Sequence, residues 1–176
     1  MKYVIASDLH GSAHYAKRIV EIFKKENAQT LILLGDIFNH GPRNNLPTEY
    51  DPMQVADVLN AITDDLIVIK GNCDSQVDTM ISQFDFIKGM AIGEGEKIFY
   101  LTHGHEINKD NPPKTKFYGV IYGHFHTGFI EQKDGVIWVN CGSLSLPKND
   151  TPNSYVLFED GNVYLKDLDG KVIKNV

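Results

Sequence analysis

Through the first half of the chain, short continuous apolar runs alternate with stretches of helical period. Lys2 to Ser7 reads as a strand apolar on both faces, as in the buried strands of parallel sheets. The period changes after Gly11: Ala16, Ile19, Val20 and Phe23 fall on one helical face, with Ser12 placed to cap the helix. Leu31 to Leu34 is a second buried strand, followed by a loop from Ile37 to Tyr50. Asp51-Pro52 has the form of a helix start, a capping carboxylate followed by proline at the first helical position, and Val55, Val58, Leu59 and Ile62 supply the apolar face. Leu66 to Ile69 is the third strand. This strand-helix alternation predicts a parallel sheet in the first half.

The second half has short strands and little helical period. Ile98 to Leu101 and Val120 to Tyr122 are apolar runs, and Phe129 to Gln132, Val136 to Asn140, Ser154 to Phe158, Asn162 to Leu165 and Lys171 to Ile173 read as antiparallel strands. Asp134-Gly135, Asp160-Gly161 and Asp169-Gly170 are the hairpin signals between them. With no internal repeat, low-complexity tract or linker, residues 1–176 are expected to form a single domain, and a chain of this size buries about 70% of its unfolded surface.

Composition mainly excludes. Lysine and arginine total 17 against 23 aspartates and glutamates, a net charge of -6, and no basic run offers a stripe for phosphate backbones, so generic nucleic-acid binding is not expected. Cys73 and Cys141 are too few for a multi-bridge secreted framework. No signal peptide or membrane span is visible, since the chain enters a strand almost at once. A reduced, cytoplasmic, soluble protein is expected, with no membrane partner; a homo-oligomer is compatible with all of this.

The chemistry lies where the apolar runs end. Five of them each deliver Asp, Asn or His at the strand end where open α/β sheets place ligands. Residues two apart on extended chain point the same way, so Asp8 and His10 are expected to reach one ion. A single D-x-H is weak, because a capping aspartate beside a solvated histidine has the same spelling; repetition carries the argument. Asp8, His10, Asp36, Asn72, His103, His124 and His126 are too many ligands for one ion and suit two that share a bridging carboxylate. Their mixture of oxygen and imidazole favours Mn, Fe, Zn or Ni over Mg or Ca, with manganese preferred. Two divalent ions, less the charges of Asp8, Asp36 and a bridging hydroxide, leave a net positive site that would draw a small anionic phosphodiester into an acidic protein. The hydroxide would attack phosphorus in line. Activity is expected to fall below about pH 6, as protons compete for the histidines. His40 and Arg43, on the loop after Asp36, are candidates to clamp a phosphoryl oxygen. His105 reads as support for His103, His14 as surface, and Cys141 and Trp138 as core.

The succession Asp8-Leu9-His10, Gly35-Asp36, Gly71-Asn72-Cys73-Asp74, His103 and Gly123-His124-Phe125-His126 resembles the motif order of the calcineurin-like metallophosphoesterases over nearly the whole chain. The resemblance implies an α/β fold of two packed, mainly mixed β-sheets flanked by helices, a four-layer sandwich. It implies that Asp36 bridges the metals, that Asp8, His10 and His126 complete one site, and that Asn72, His103 and His124 complete the other. Two positions depart from the pattern. Many members carry a proton-donating histidine where Cys73 stands, paired with an acidic residue where Asn39 stands. A thiol is a poorer donor to a leaving alkoxide than imidazolium, so Cys73 marks a weakened catalytic position that suits aryl oxide leaving groups. Two alternatives belong to the same fold: a non-catalytic protein-binding scaffold, as in the retromer subunit that resembles these enzymes, and a cyclic-nucleotide or nuclease-type diesterase. Retention of all seven ligands favours a metal-dependent phosphoric diester hydrolase, and no motif reads a base.

Overall fold

The computed structural model describes residues 1–176, the side chain of Glu94 excepted. The first half contains β1 (Lys2–Ala6), α1 (Ala13–Lys25), β2 (Thr30–Leu33), α2 (Pro52–Asn60), β3 (Leu66–Ile69) and the two-residue β4 (Phe86–Ile87). The second half contains β5 (Met90–Glu94), β6 (Lys97–Leu101), β7 (Gly119–Tyr122), β8 (Phe129–Lys133), β9 (Val136–Asn140), β10 (Ser154–Glu159), β11 (Asn162–Asp167) and β12 (Val172–Asn175). Both helix starts follow the expected chemistry: Ser12 accepts from the Tyr15 N–H, and Asp51 from the Gln54 N–H with Pro52 behind it.

The strands form two mixed sheets. One has seven strands in the order β12-β11-β10-β1-β2-β3-β4, and the other five in the order β5-β6-β7-β9-β8. β1, β2, β3 and β4 run parallel, while β10 joins β1 antiparallel. In the second sheet β6, β7 and β9 run parallel and β8 closes antiparallel on β9.

The unbroken apolar runs are explained by burial on both faces. Val4 and Ala6 of β1, Leu31 and Leu33 of β2, and Leu66 and Val68 of β3 face α1 and α2. The residues that alternate with them, Ile5, Ile32 and Ile69, face the second sheet and join a cluster with Phe99, Leu101, Ile121 and Val139. Helices cover one side of the sandwich only. The outer face of the five-stranded sheet carries Val120, Tyr122 and Trp138 with Tyr100 and Phe129 against them, and Tyr100 stacks on Phe117 of the loop before β7. Aromatic rings and a loop therefore fill the place of a fourth, helical layer.

Two of the D-G pairs turn as expected. Asp134-Gly135 and Asp160-Gly161 are two-residue connections with both φ angles positive (53° and 78°, 50° and 79°), the type I′ pattern. At the third only Gly170 is left-handed, at 91°, and the wider turn moves the last strand to Val172–Asn175.

Candidate metal centre

Both sheets present their carboxyl ends at one edge. Asp8 follows β1, Asp36 follows β2, Asn72 follows β3, His103 follows β6, and His124 and His126 follow β7. The extended backbone expected for Asp8-Leu9-His10 is not what the chain adopts: Asp8 has φ 58° and His10 φ 50°. Asp36, His124 and His126 are left-handed as well, at 55°, 65° and 60°. Strand alternation is thus replaced by sharp turns that throw each ligand back over the sheet edge. Asp and His tolerate this region better than most side chains, yet each such residue holds on the order of 1 kcal/mol of strain, a concentration typical of functional sites.

Two groups of ligand atoms result. Asp8, His10 and His126 form one, Asp36, His103 and His124 the other, with the ligand atoms of each group within 4.8 Å of one another. Asp36 Oδ2 lies 3.8 Å from His10 Nε2 and 3.4 Å from His103 Nε2, so one carboxylate oxygen is reached from both sides. Asn72 Oδ1 stands 3.0 Å from His103 Nε2. Asp8 Oδ1 is 3.2 Å from His126 Nε2 and 3.6 Å from His10 Nε2, but it is fully buried and accepts no well-formed hydrogen bond.

The tautomers settle what this space wants. His10 Nδ1 donates to Asn39 O, His103 Nδ1 to Leu34 O and His126 Nδ1 to Leu146 O, each at 2.7 Å. A carbonyl only accepts, so in the neutral rings the proton is on Nδ1 and the Nε2 lone pair points inward. His10 and His126 then face each other lone pair to lone pair at 3.2 Å, beside an orphaned carboxylate oxygen. A cation or a proton must occupy such a place, and the oxygen and imidazole donors gathered here fit a divalent metal ion.

Protons do part of that work in the apo protein. Burial disfavours the His103 imidazolium, but the hydrogen bond to Asp36 and the charges of Asp8 and Asp36 outweigh it and raise its pKa to about 9. His124 is pushed down to about 4 by burial and by the charge of His103. Below about 9 His103 therefore carries a proton that an incoming ion must displace, and above it none. Apparent metal affinity is expected to tighten about tenfold per pH unit from neutrality up to the His103 pKa and then to level off. Calorimetric titration in buffers of different ionisation enthalpy would show this as one proton released; flat affinity over that range would refute it. Competition thus begins well above the pH suggested by unperturbed histidines.

Several residues have supporting roles that the sequence reading did not assign, Asp74 of the Gly71-Asn72-Cys73-Asp74 motif among them. Asp74 is buried and accepts the N–H groups of Asp36, Ile37 and Gly71 at 2.7–2.8 Å, clamping the turn that carries Asp36. Ser143 and Ser145 both donate to Asp8 O, and Asn140 ties Gly123 O to the Gly142 N–H. Side-chain bonds to distant backbone leave no periodic signal; beyond Asp74, visible as a motif residue without a role, only the Asn-x-Gly turn at Asn140 could have been seen.

Cys73 sits half-buried at the rim, its Sγ within 4.8 Å of the ligand atoms of His10 and Asp36. Burial first, then the charges of Asp36 and Asp74, push its thiol up to about 12, further from a useful proton donor than an ordinary thiol. Arg43 lines a cleft of about 620 Å³ over the ligands, together with Lys148 on the opposite loop, which the sequence did not single out. His40 does not line that cleft; its ring packs edge-on against Tyr50, centroids 5.4 Å apart. His105 lies beside His103 at 5.4 Å between centroids. His14 is exposed, and Cys141 and Trp138 are buried. No helix is long and apolar enough to cross a membrane.

Residues 1–162 match the calcineurin-like phosphoesterase superfamily domain. The chain is 40% identical over 163 residues to phosphodiesterase YfcE of Escherichia coli, covering 91% of this chain and 88% of that protein. The solved structure of the E. coli phosphoesterase superposes with a TM-score of 0.94 at 37% identity, over 100% of this chain and 98% of that one. Phosphodiesterase MJ0936 of Methanocaldococcus jannaschii is 27% identical over 82% of this chain and 87% of its own length. Vps29 of Entamoeba histolytica, solved in complex with zinc, shares the fold at a TM-score of 0.62 and 20% identity, over 100% of this chain and 98% of that one.

Proposed function

The chain belongs to the calcineurin-like phosphoesterase superfamily, and from that premise we propose that it is a dinuclear-metal phosphodiesterase of small substrates, favouring manganese. The observation that carries this reading is Asp36 Oδ2, placed between the nitrogens of His10 and His103. Asp8, His10 and His126 would hold one ion, Asn72, His103 and His124 the other, and Asp36 both. When bound, the ions supply Lewis acidity and lower the pKa of a water toward neutrality so that it can attack phosphorus.

The chain's own groups do the rest. Arg43 and Lys148 place two cations on the cleft above the ligands, where they can hold non-ester oxygens of an anionic substrate. The space exceeds what a lone phosphate fills, which supports a diester with a sizeable arm. The free thiols of Cys73 and Cys141 support a place in the reducing cytoplasm. Turnover of bis(4-nitrophenyl) phosphate by protein loaded with Mn, Fe, Zn or Ni tests the reading, and undiminished turnover after complete metal removal would overturn it.

Cys73 stands where leaving-group protonation is weakest. Cys73→His is expected to raise kcat/KM about tenfold, the low end of general-acid help because Asn39 has no carboxylate to orient the ring. The gain should grow with leaving-group pKa across a series of aryl and alkyl diesters at fixed metal occupancy. Collapse in both Cys73→His and Cys73→Ala would instead make Cys73 a ligand.

A further inference from the structure

Beyond Asn72 the cleft does not end. A second cavity of about 430 Å³ opens on the other side of this residue, lined by Lys70, Lys88 and His105. Lys70 is the first residue after β3 and Lys88 the first after β4, and the Lys70 N–H donates to Ile87 O at 2.8 Å. The two lysines are therefore anchored side by side at the carboxyl ends of adjacent parallel strands. Among the described residues neither ammonium has an ion-pair partner, as holds for most lysines here; the paired ones are Lys2, Lys17, Lys109 and Lys166. Both side chains are solvent-exposed, and together they set two positive charges beside the cleft in a protein of net charge -6.

Three acidic groups lie nearby, and none forms an ion pair with either lysine; Asp85 lines a neighbouring cavity with Lys70. Asp74 lies at the cavity floor, but its oxygens are taken by three backbone N–H groups. Glu106 is on the open rim with its side chain 81% exposed, 3.9 Å from His105. We infer that Lys70 and Lys88 form a second anion subsite, so that the preferred diester carries a further phosphate on one arm, seated beyond Asn72 while the scissile phosphate lies over the metal ligands. The subsite takes one compact anion; the Glu106 rim disfavours a longer polyanion. This inference rests on the phosphodiesterase reading for the first site, and its test is separable from it.

The probes are thymidine 5′-monophosphate and thymidine 3′,5′-bisphosphate, which differ only by the remote phosphate. Their affinities for the metal-loaded protein are measured by calorimetry at low ionic strength. The bisphosphate is expected to bind about tenfold more tightly, the combined effect of two partly exposed charge contacts, and the preference should shrink as salt is raised. In Lys70→Gln/Lys88→Gln the two affinities should converge, and in Lys88→Glu the order should invert, with monophosphate binding reporting that each variant is folded. Equal affinities in the wild type, or a preference that survives the double substitution, would overturn the subsite. Failure of the phosphodiesterase reading would show separately, as absent turnover of bis(4-nitrophenyl) phosphate, and leaves the binding comparison intact.

Discussion

Asp36→Ala is expected to abolish turnover of an aryl phosphodiester and to leave a protein that no longer retains two ions. Loss of a residue that merely orients a metal ligand typically costs about 10- to 100-fold, so removal of the oxygen that both histidine groups approach should exceed about 100-fold. The side chain does more than ligate. Its Oδ1 accepts the Cys73 N–H at 2.8 Å, which ties the turn after β2 to the turn after β3. Asp36→Asn separates the two roles, keeping an acceptor for Cys73 while removing the charge. If metal content by plasma mass spectrometry and turnover both survived Asp36→Ala, the shared-carboxylate arrangement would be wrong.

Gly71→Ala should be nearly as damaging, although Gly71 is not itself a ligand. A Cβ at Gly71 would press into Asp36 Oδ1 and the Asp36 backbone N. Its backbone is not left-handed, so the effect is collision with the carboxylate and main chain of Asp36. Displacing Asp36 is expected to weaken metal binding by about 10- to 100-fold, with an overpacking cost of about 1–3 kcal/mol in stability. Gly135→Ala is the control: its Cβ would meet nothing within 4 Å but its φ is 78°, so it should lower stability while leaving metal affinity alone. Equal metal affinity in both variants would show that Gly71 is not needed for close approach.

Much of this was legible. β1, β2 and β3 declared themselves because both faces are buried, and the motif residues stood at their ends because a parallel sheet delivers loops to one edge. β4 and β5 did not. Phe86–Ile87 is too short for a pattern, and Met90–Glu94 contains Gly93 at φ 123°, pressed against β6. The seven ligand candidates were readable as a set, yet the reason they converge was not: alternation on extended chain was expected, and left-handed turns bring Asp8 and His10 together. Asp74 was visible as a motif residue but its clamp on the Asp36 turn was not, and Ser143 and Ser145 stayed hidden, because that work is done on backbone atoms far away in sequence. Arg43 was visible as a loop cation; Lys148 became meaningful only when the fold set it across the same cleft.

The three imidazoles that donate through Nδ1 all donate to main-chain carbonyls, those of Leu34, Asn39 and Leu146. In a metal site whose histidines lean on carboxylate side chains, one base change can erase the orienting partner. Here the partner is the peptide bond itself, which every amino acid possesses. Substitutions at these three positions can alter packing but cannot delete the acceptor, so the protonation pattern of the ligands is protected from genetic drift. The orienting partners share no side-chain type, an asparagine and two leucines, so it is the course of the strand ends and loops, and not any side chain, that aims the three rings.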